Sequence, residues 1–158
     1  MAGTTHRQPA ALNQQCCGTS LSGIKMNEFN RSEKFEQGLQ TRREVLGEDY
    51  VKKALESATE YTWPMQEFVT EYCWDAIWNR PGLSRKDRSM LNLGMVSALG
   101  RSAELKAHVR GALNNGWTKD ELREVFMQVA VYCGVPAAID SFRTAQEVFR
   151  EMEHSVHP

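Results

Sequence analysis

Net charge is almost missing from this chain: 19 Lys and Arg stand against 20 Asp and Glu in 158 residues. That balance builds in no long-range attraction to nucleic acid or to an anionic membrane, so neither is an expected partner and any anion must be held by a few local groups. Long apolar runs are missing too. None approaches the about 20 residues needed to span a bilayer, and the N-terminus lacks the apolar stretch of a secretory signal, so the expected location is cytoplasmic. Cysteine is scarce and irregularly placed, at Cys16, Cys17, Cys73 and Cys133, with no Cys-x-x-Cys. That spacing argues against a disulfide scaffold, a dithiol redox centre and half of a zinc site, and leaves reduced, structural thiols as the expectation. Alternating, strand-like patterning is absent as well.

What is present is helix after helix. Residues 1–25 are rich in Gln, Asn, Ser, Thr and Gly without apolar periodicity, which predicts a disordered tail, and residues 26–153 form the domain. A first helix over about 31–46 places Phe35, Leu39, Val45 and Leu46 on one flank and stops at Gly47. A shorter one follows through Val51 and Leu55. A third carries Met65, Phe68, Val69, Tyr72, Ala76 and Ile77 and halts before Pro81-Gly82. Ser84 and Asp87 have the form of a capping box opening a mostly apolar, buried segment to Gly100. Ser102 can cap the next helix, in which Leu105, Val109, Ala112 and Leu113 face a core and Asn115-Gly116 make the stop. Thr118 and Glu121 form the clearest capping box, and Pro136 begins the last helix. The sum is an all-α domain of six or seven helices.

The chemistry-bearing group is Arg101, Glu104 and His108. Residues four apart stack on one helix face, so Glu104 and His108 can approach a common ligand, with a guanidinium and free N–H groups at the helix start to receive a carboxylate. The alternative is a helix-stabilising surface pair, since Glu in a first turn is favoured by the macrodipole. A metal site is disfavoured because the other imidazoles, His6, His154 and His157, fall near the two ends. Arg88 precedes an apolar helix and would need an anionic partner if drawn towards buried surface. Trp63, Tyr72, Trp74 and Trp78 crowd sixteen positions and suit a core, a pocket wall or a subunit interface.

In order, "QTRREVLGEDYV" (40–51), "WDAIWNRPGLSRKDRSMLNLGM" (74–95) and "LGRSAELKAHVRGALNNGWTKDELREVFMQVAVYCGVPAA" (99–138) resemble the carboxymuconolactone decarboxylase family. The resemblance covers about residues 35–150. It implies an alkylhydroperoxidase-like helical bundle that assembles into trimers or hexamers, and decarboxylation of a small acidic lactone, 4-carboxymuconolactone, to the 3-oxoadipate enol-lactone and CO2 with no cofactor. The peroxidase branch carries Cys-x-x-Cys-x-x-x-His where this chain has Arg101-x-x-Glu104-x-x-x-His108, so both redox thiols are replaced. The implied roles are catalytic for His108 and Glu104, and substrate-binding for Arg101, Arg88, Tyr72, Trp74, Trp78 and Tyr132. Tyr72-Cys73-Trp74-Asp75 departs from the family's common His-Ala-Trp-Gly, which leaves the substrate open between this lactone and another lactone or β-keto acid, with a non-catalytic oligomeric module as the rival class. Cys133 is expected as a small buried side chain.

Overall fold

The computed structural model describes residues 31–156, so the expected tail of residues 1–25, with His6, Cys16 and Cys17, lies outside the described residues, as does His157. Among the described residues there are seven α-helices, one π-helical segment and no strand. The helices are α1 (Glu33–Leu46), α2 (Glu48–Glu56), α3 (Trp63–Phe68), α4 (Arg85–Ala98), α5 (Ser102–Asn114), α6 (Lys119–Cys133) and α7 (Val135–Val156), with the π-helical segment Val69–Ile77 running on from α3.

The starts and stops follow local chemistry. Ser32 accepts from the Phe35 N–H to open α1, and the capping boxes Ser84–Asp87 and Thr118–Glu121 both form, opening α4 and α6. Gly47, at φ 92°, turns the chain from α1 into α2, a conformation that favours glycine. The start of α5 differs from the expected Ser102 cap: Arg101 is the N-cap and no side chain caps the helix, because Gly100, at φ 64°, has already turned the chain. The first N–H groups of α5 are therefore left without a side-chain acceptor.

The third helix buries Trp63, Trp74 and Trp78, as a core place for these aromatics predicts, and leaves Tyr72 exposed. The stripe Met65, Phe68, Tyr72 and Ile77 is exposed, and the buried row is Trp63, Thr70, Trp74 and Trp78. From Val69 the backbone bonds i to i+5, as in Trp78 N–H to the Cys73 carbonyl at 3.0 Å. The wider turn lines up residues four apart, so Thr70, Trp74 and Trp78 share one inward face, and the last two stack at 4.8 Å between ring centroids. Gly38 on α1 meets this segment so closely that a Cβ there would lie 2.0 Å from the Thr70 carbonyl oxygen. Arg42, one turn on, is buried and donates to the Gln66 side chain at 2.9 Å and to the Thr70 hydroxyl at 3.3 Å.

Two apolar clusters result. One joins Phe35, Leu39, Val45, Val51 and Leu55 to the three indoles, and the other joins Leu93, Leu105, Val109, Leu122, Phe126 and Val148. Helix α5 serves both: Ala107 belongs to the first, while Leu105, Val109 and Ala112 belong to the second. Helix α4 is less buried than its composition predicts. Only Ser89, Leu93 and Ser97 are buried, and Met90, Leu91, Met95 and Leu99 are exposed.

Candidate active site

With Leu105, Val109 and Ala112 committed to the core, the helical period turns Arg101, Glu104 and His108 onto another face of α5. Arg101 and Glu104 are exposed, and His108 is half-buried. Burial pushes the His108 imidazole below its ordinary value, and the neighbouring Glu104 carboxylate opposes that shift. At neutral pH the ring is therefore neutral, with one nitrogen able to accept a proton. The Arg101 side chain has no acidic or hydrogen-bonding partner among the described residues, and it stands beside the open N–H groups of α5. A cation, a helix start, a carboxylate and a neutral imidazole thus lie along one face, an arrangement that can hold a carboxylate at one end and move a proton at the other.

The bundle fixes which other residues share this end. Lys86 pairs with Glu121 at 2.9 Å and the Trp117 indole N–H donates to the Lys86 carbonyl at 2.9 Å, so α4 and α6 start together and run parallel. Their C-terminal ends, with Leu99 and Tyr132, lie at the end where α5 begins. The Asn115 amide donates to the Ser89 hydroxyl at 2.9 Å, which sets the far end of α5 against the start of α4. Arg101 and Arg88 therefore stand near opposite ends of α5, about 20 Å apart along its axis with His108 midway. Arg88 is half-buried. Its Nη2 donates to the Arg80 carbonyl at 2.9 Å, its buried Nε has no hydrogen-bond partner, and no carboxylate among the described residues pairs with it.

Of the remaining candidates, Trp74 and Trp78 are only 5% and 7% exposed and pack in the core, which accounts for them without a ligand. Tyr72 is exposed on the π-helical segment and stacks on Phe68 at 4.9 Å. Tyr132 is exposed at the end of α6. Cys133 is not a buried filler as expected: it is exposed, as is Cys73, and both thiols are free. Sequence reasoning missed Arg42, a buried guanidinium whose bonded partners are an amide and a hydroxyl and whose desolvation lowers its pKa. The signal was its place between Leu39 and Val45 on the inward face of α1. Among the described residues no group of three or more His, Cys, Asp or Glu could hold a metal ion, and no helix is long and apolar enough to cross a membrane.

Comparison with protein families matches residues 64–147 to the carboxymuconolactone decarboxylase family. Among curated proteins the chain is 45% identical over 132 residues to a nitrosuccinic acid decarboxylase of Metarhizium robertsii, covering 84% of this chain and 92% of that protein. It is 40% identical over 124 residues to a 4-carboxymuconolactone decarboxylase of Acinetobacter baylyi, covering 78% of this chain and 92% of that protein. An uncharacterised 15.0 kDa protein of Paracoccus denitrificans is 39% identical over 75 residues, 46% of this chain and 56% of that protein.

Proposed function

We propose that this chain, which belongs to the carboxymuconolactone decarboxylase family, is a cofactor-independent carboxy-lyase acting on a carboxylated unsaturated lactone of the 4-carboxymuconolactone type. The observation that carries the reading is the Glu104–His108 pair on an arginine-headed helix in a chain that is 40% identical to a 4-carboxymuconolactone decarboxylase over most of both proteins.

In such a lactone the bond to the departing carboxylate breaks, and its electron pair moves through the double bond onto the ring carbonyl. The substrate is its own electron sink. Arg101 and the open N–H groups of α5 hold a carboxylate, while Arg88, near the opposite end of α5, stands too far away to hold a second carboxylate of so small an acid. Tyr132 donates to the lactone oxygen as it becomes anionic. Glu104 orients the imidazole, and His108 returns a proton to the carbanionic carbon. The resting ring is neutral, so it takes up that proton when the anionic substrate docks beside it and raises its pKa.

The 45% identity to a nitrosuccinic acid decarboxylase favours a second substrate for the same machinery. A nitro group accepts the electron pair as a nitronate in the way the unsaturated carbonyl does as a dienolate, and a second carboxylate is again present for an arginine. The test is CO2 release by protein dialysed against a chelator, with 4-carboxymuconolactone, nitrosuccinic acid and a panel of β-keto acids. Turnover of one of the first two at a rate indifferent to the chelator is expected. Release from none of these acids overturns the reading.

A further inference from the structure

Helix α4 borders α6 on one flank, where Met90 and Gly94 line an apolar groove, and α5 on the other. The second flank is the half-buried row Arg85, Arg88, Asn92 and Val96. Its register against α5 is fixed at both ends. In the turn between the helices the Arg101 N–H donates to the Val96 carbonyl at 3.2 Å, and at the far end the Asn115 amide reaches the Arg85 carbonyl at 3.5 Å and the Ser89 hydroxyl at 2.9 Å. The two helices are therefore antiparallel. Going from Asn115 back along α5 to His108, and from Ser89 on along α4 to Asn92, brings the amide within about one turn, roughly 6 Å, of the level of the imidazole. Asn92 has no hydrogen-bond partner among the described residues, whereas the other asparagines described are all engaged: Asn79 with Thr41 and Asp75, Asn114 with the Val45 carbonyl, and Asn115 as above. A half-buried amide beside His108 is thus left with its N–H groups free for a ligand.

We propose that Asn92 donates to the carboxylate that departs as CO2. Both acids considered above carry two carboxylates on neighbouring carbons, the skeleton of succinate. Arg101 takes the one that stays, and the one that leaves lies towards the half-buried side of His108, where Asn92 is one turn, about 6 Å, nearer to Arg101 than Arg88 is. A neutral donor is the better partner for a leaving group of this kind. A guanidinium bond to the departing carboxylate would be roughly twice as strong and would be lost as the charge leaves, so it would stabilise the bound acid more than the transition state. An amide orients the bond that breaks at a smaller cost. The carbon–carbon bond then breaks, its electron pair passes into the substrate's own sink, neutral CO2 leaves the amide, and His108 returns the proton. The catalytic role rests on the decarboxylase reading; the contact with a second carboxylate does not.

The experiment is an NMR titration of the full chain with succinate and with propanoate, for wild type, Asn92→Leu and Asn92→Lys, with circular dichroism to confirm folding and steady-state kinetics on the accepted acid. Wild type is expected to bind succinate about tenfold more tightly than propanoate, the worth of one hydrogen bond to a charged group, with the Asn92 side-chain amide signals shifting for succinate alone. Asn92→Leu should bind the two acids about equally while keeping the wild-type affinity for propanoate. Asn92→Lys should bind succinate more tightly and lower KM, with kcat reduced at least tenfold. Should Asn92→Leu fail to fold, the isosteric Asn92→Asp replaces it and should lose succinate by repulsion. A wild type without the succinate preference, or a preference that survives Asn92→Leu or Asn92→Asp, overturns the contact. An Asn92→Lys variant with wild-type kcat overturns the catalytic role. If no acid is turned over at all, the decarboxylase reading and the catalytic role fall with it, and the two titrations still decide whether Asn92 holds a carboxylate.

Discussion

His108 meets two opposed influences: desolvation, which favours the neutral ring, and the Glu104 carboxylate, which favours the charged one, and desolvation prevails. A histidine whose folded pKa lies below its unfolded value supports the fold above the unfolded value of about 6.5 and loses that support as pH falls through it towards the folded pKa. The paired carboxylates Glu44, Asp87, Glu121 and Glu151 are also shifted down, and their losses set in only near pH 4.5 and below. Thermal melts at pH 7.5 and 5.5 should therefore show a smaller drop for His108→Gln than for wild type, and an equal drop would place the imidazole in water. Arg101 has no competing partner, so Arg101→Gln should raise KM for the acid by about 10- to 100-fold, the worth of one charge-assisted hydrogen bond, with the melting temperature unchanged. Steady-state kinetics check this, and an unaltered KM would remove Arg101 from substrate binding. These three residues were legible in sequence because a single helix carries them at fixed spacing. The distance of Arg88 from Arg101 was not, because it depends on Asn115 crossing to Ser89.

Elements were readable where their signals are local. Ser84–Asp87 and Thr118–Glu121 each lie within one turn, and both capping boxes form as the sequence predicts. The π-helical segment was not readable, because no local motif in the sequence marks it and the backbone it packs against, Gly38 beside the Thr70 carbonyl, is distant in sequence. An α-helical period applied to residues 65–77 selects the outward stripe of Met65, Phe68 and Tyr72 instead of the row Thr70, Trp74 and Trp78. The same contact makes a prediction. A methyl group at Gly38 must push α1 from the segment, since the backbone oxygen it meets cannot turn aside, so Gly38→Ala should cost about 3 kcal/mol in denaturant unfolding. A loss below about 0.5 kcal/mol would show that the two elements are not in this close contact. Helix α4 was misjudged as buried because apolar composition alone does not say which residues face the core, and only Ser89, Leu93 and Ser97 are buried.

At the scale of the whole molecule, α5 is the element shared by both apolar clusters, and its remaining face carries Arg101, Glu104 and His108 towards an end where α4 and α6 leave apolar surface open. In the proposed reaction the fold places Glu104 and His108 on one face of a helix whose other residues are committed to the core. With 19 basic against 20 acidic side chains the chain builds in no long-range attraction for an anion, so the proposed acid would have to be held by local groups such as Arg101. The most direct test of the central claim, that Glu104 and His108 manage the proton of a cofactor-independent decarboxylation, is turnover of the accepted acid in D2O by wild type, Glu104→Gln and His108→Gln. Both CO2 release and deuterium at the protonated carbon would be followed. One deuterium per product is expected from wild type, with a loss of about 10²- to 10⁴-fold in kcat for His108→Gln and a smaller loss for Glu104→Gln. Full activity with unchanged deuterium incorporation in both variants would contradict it.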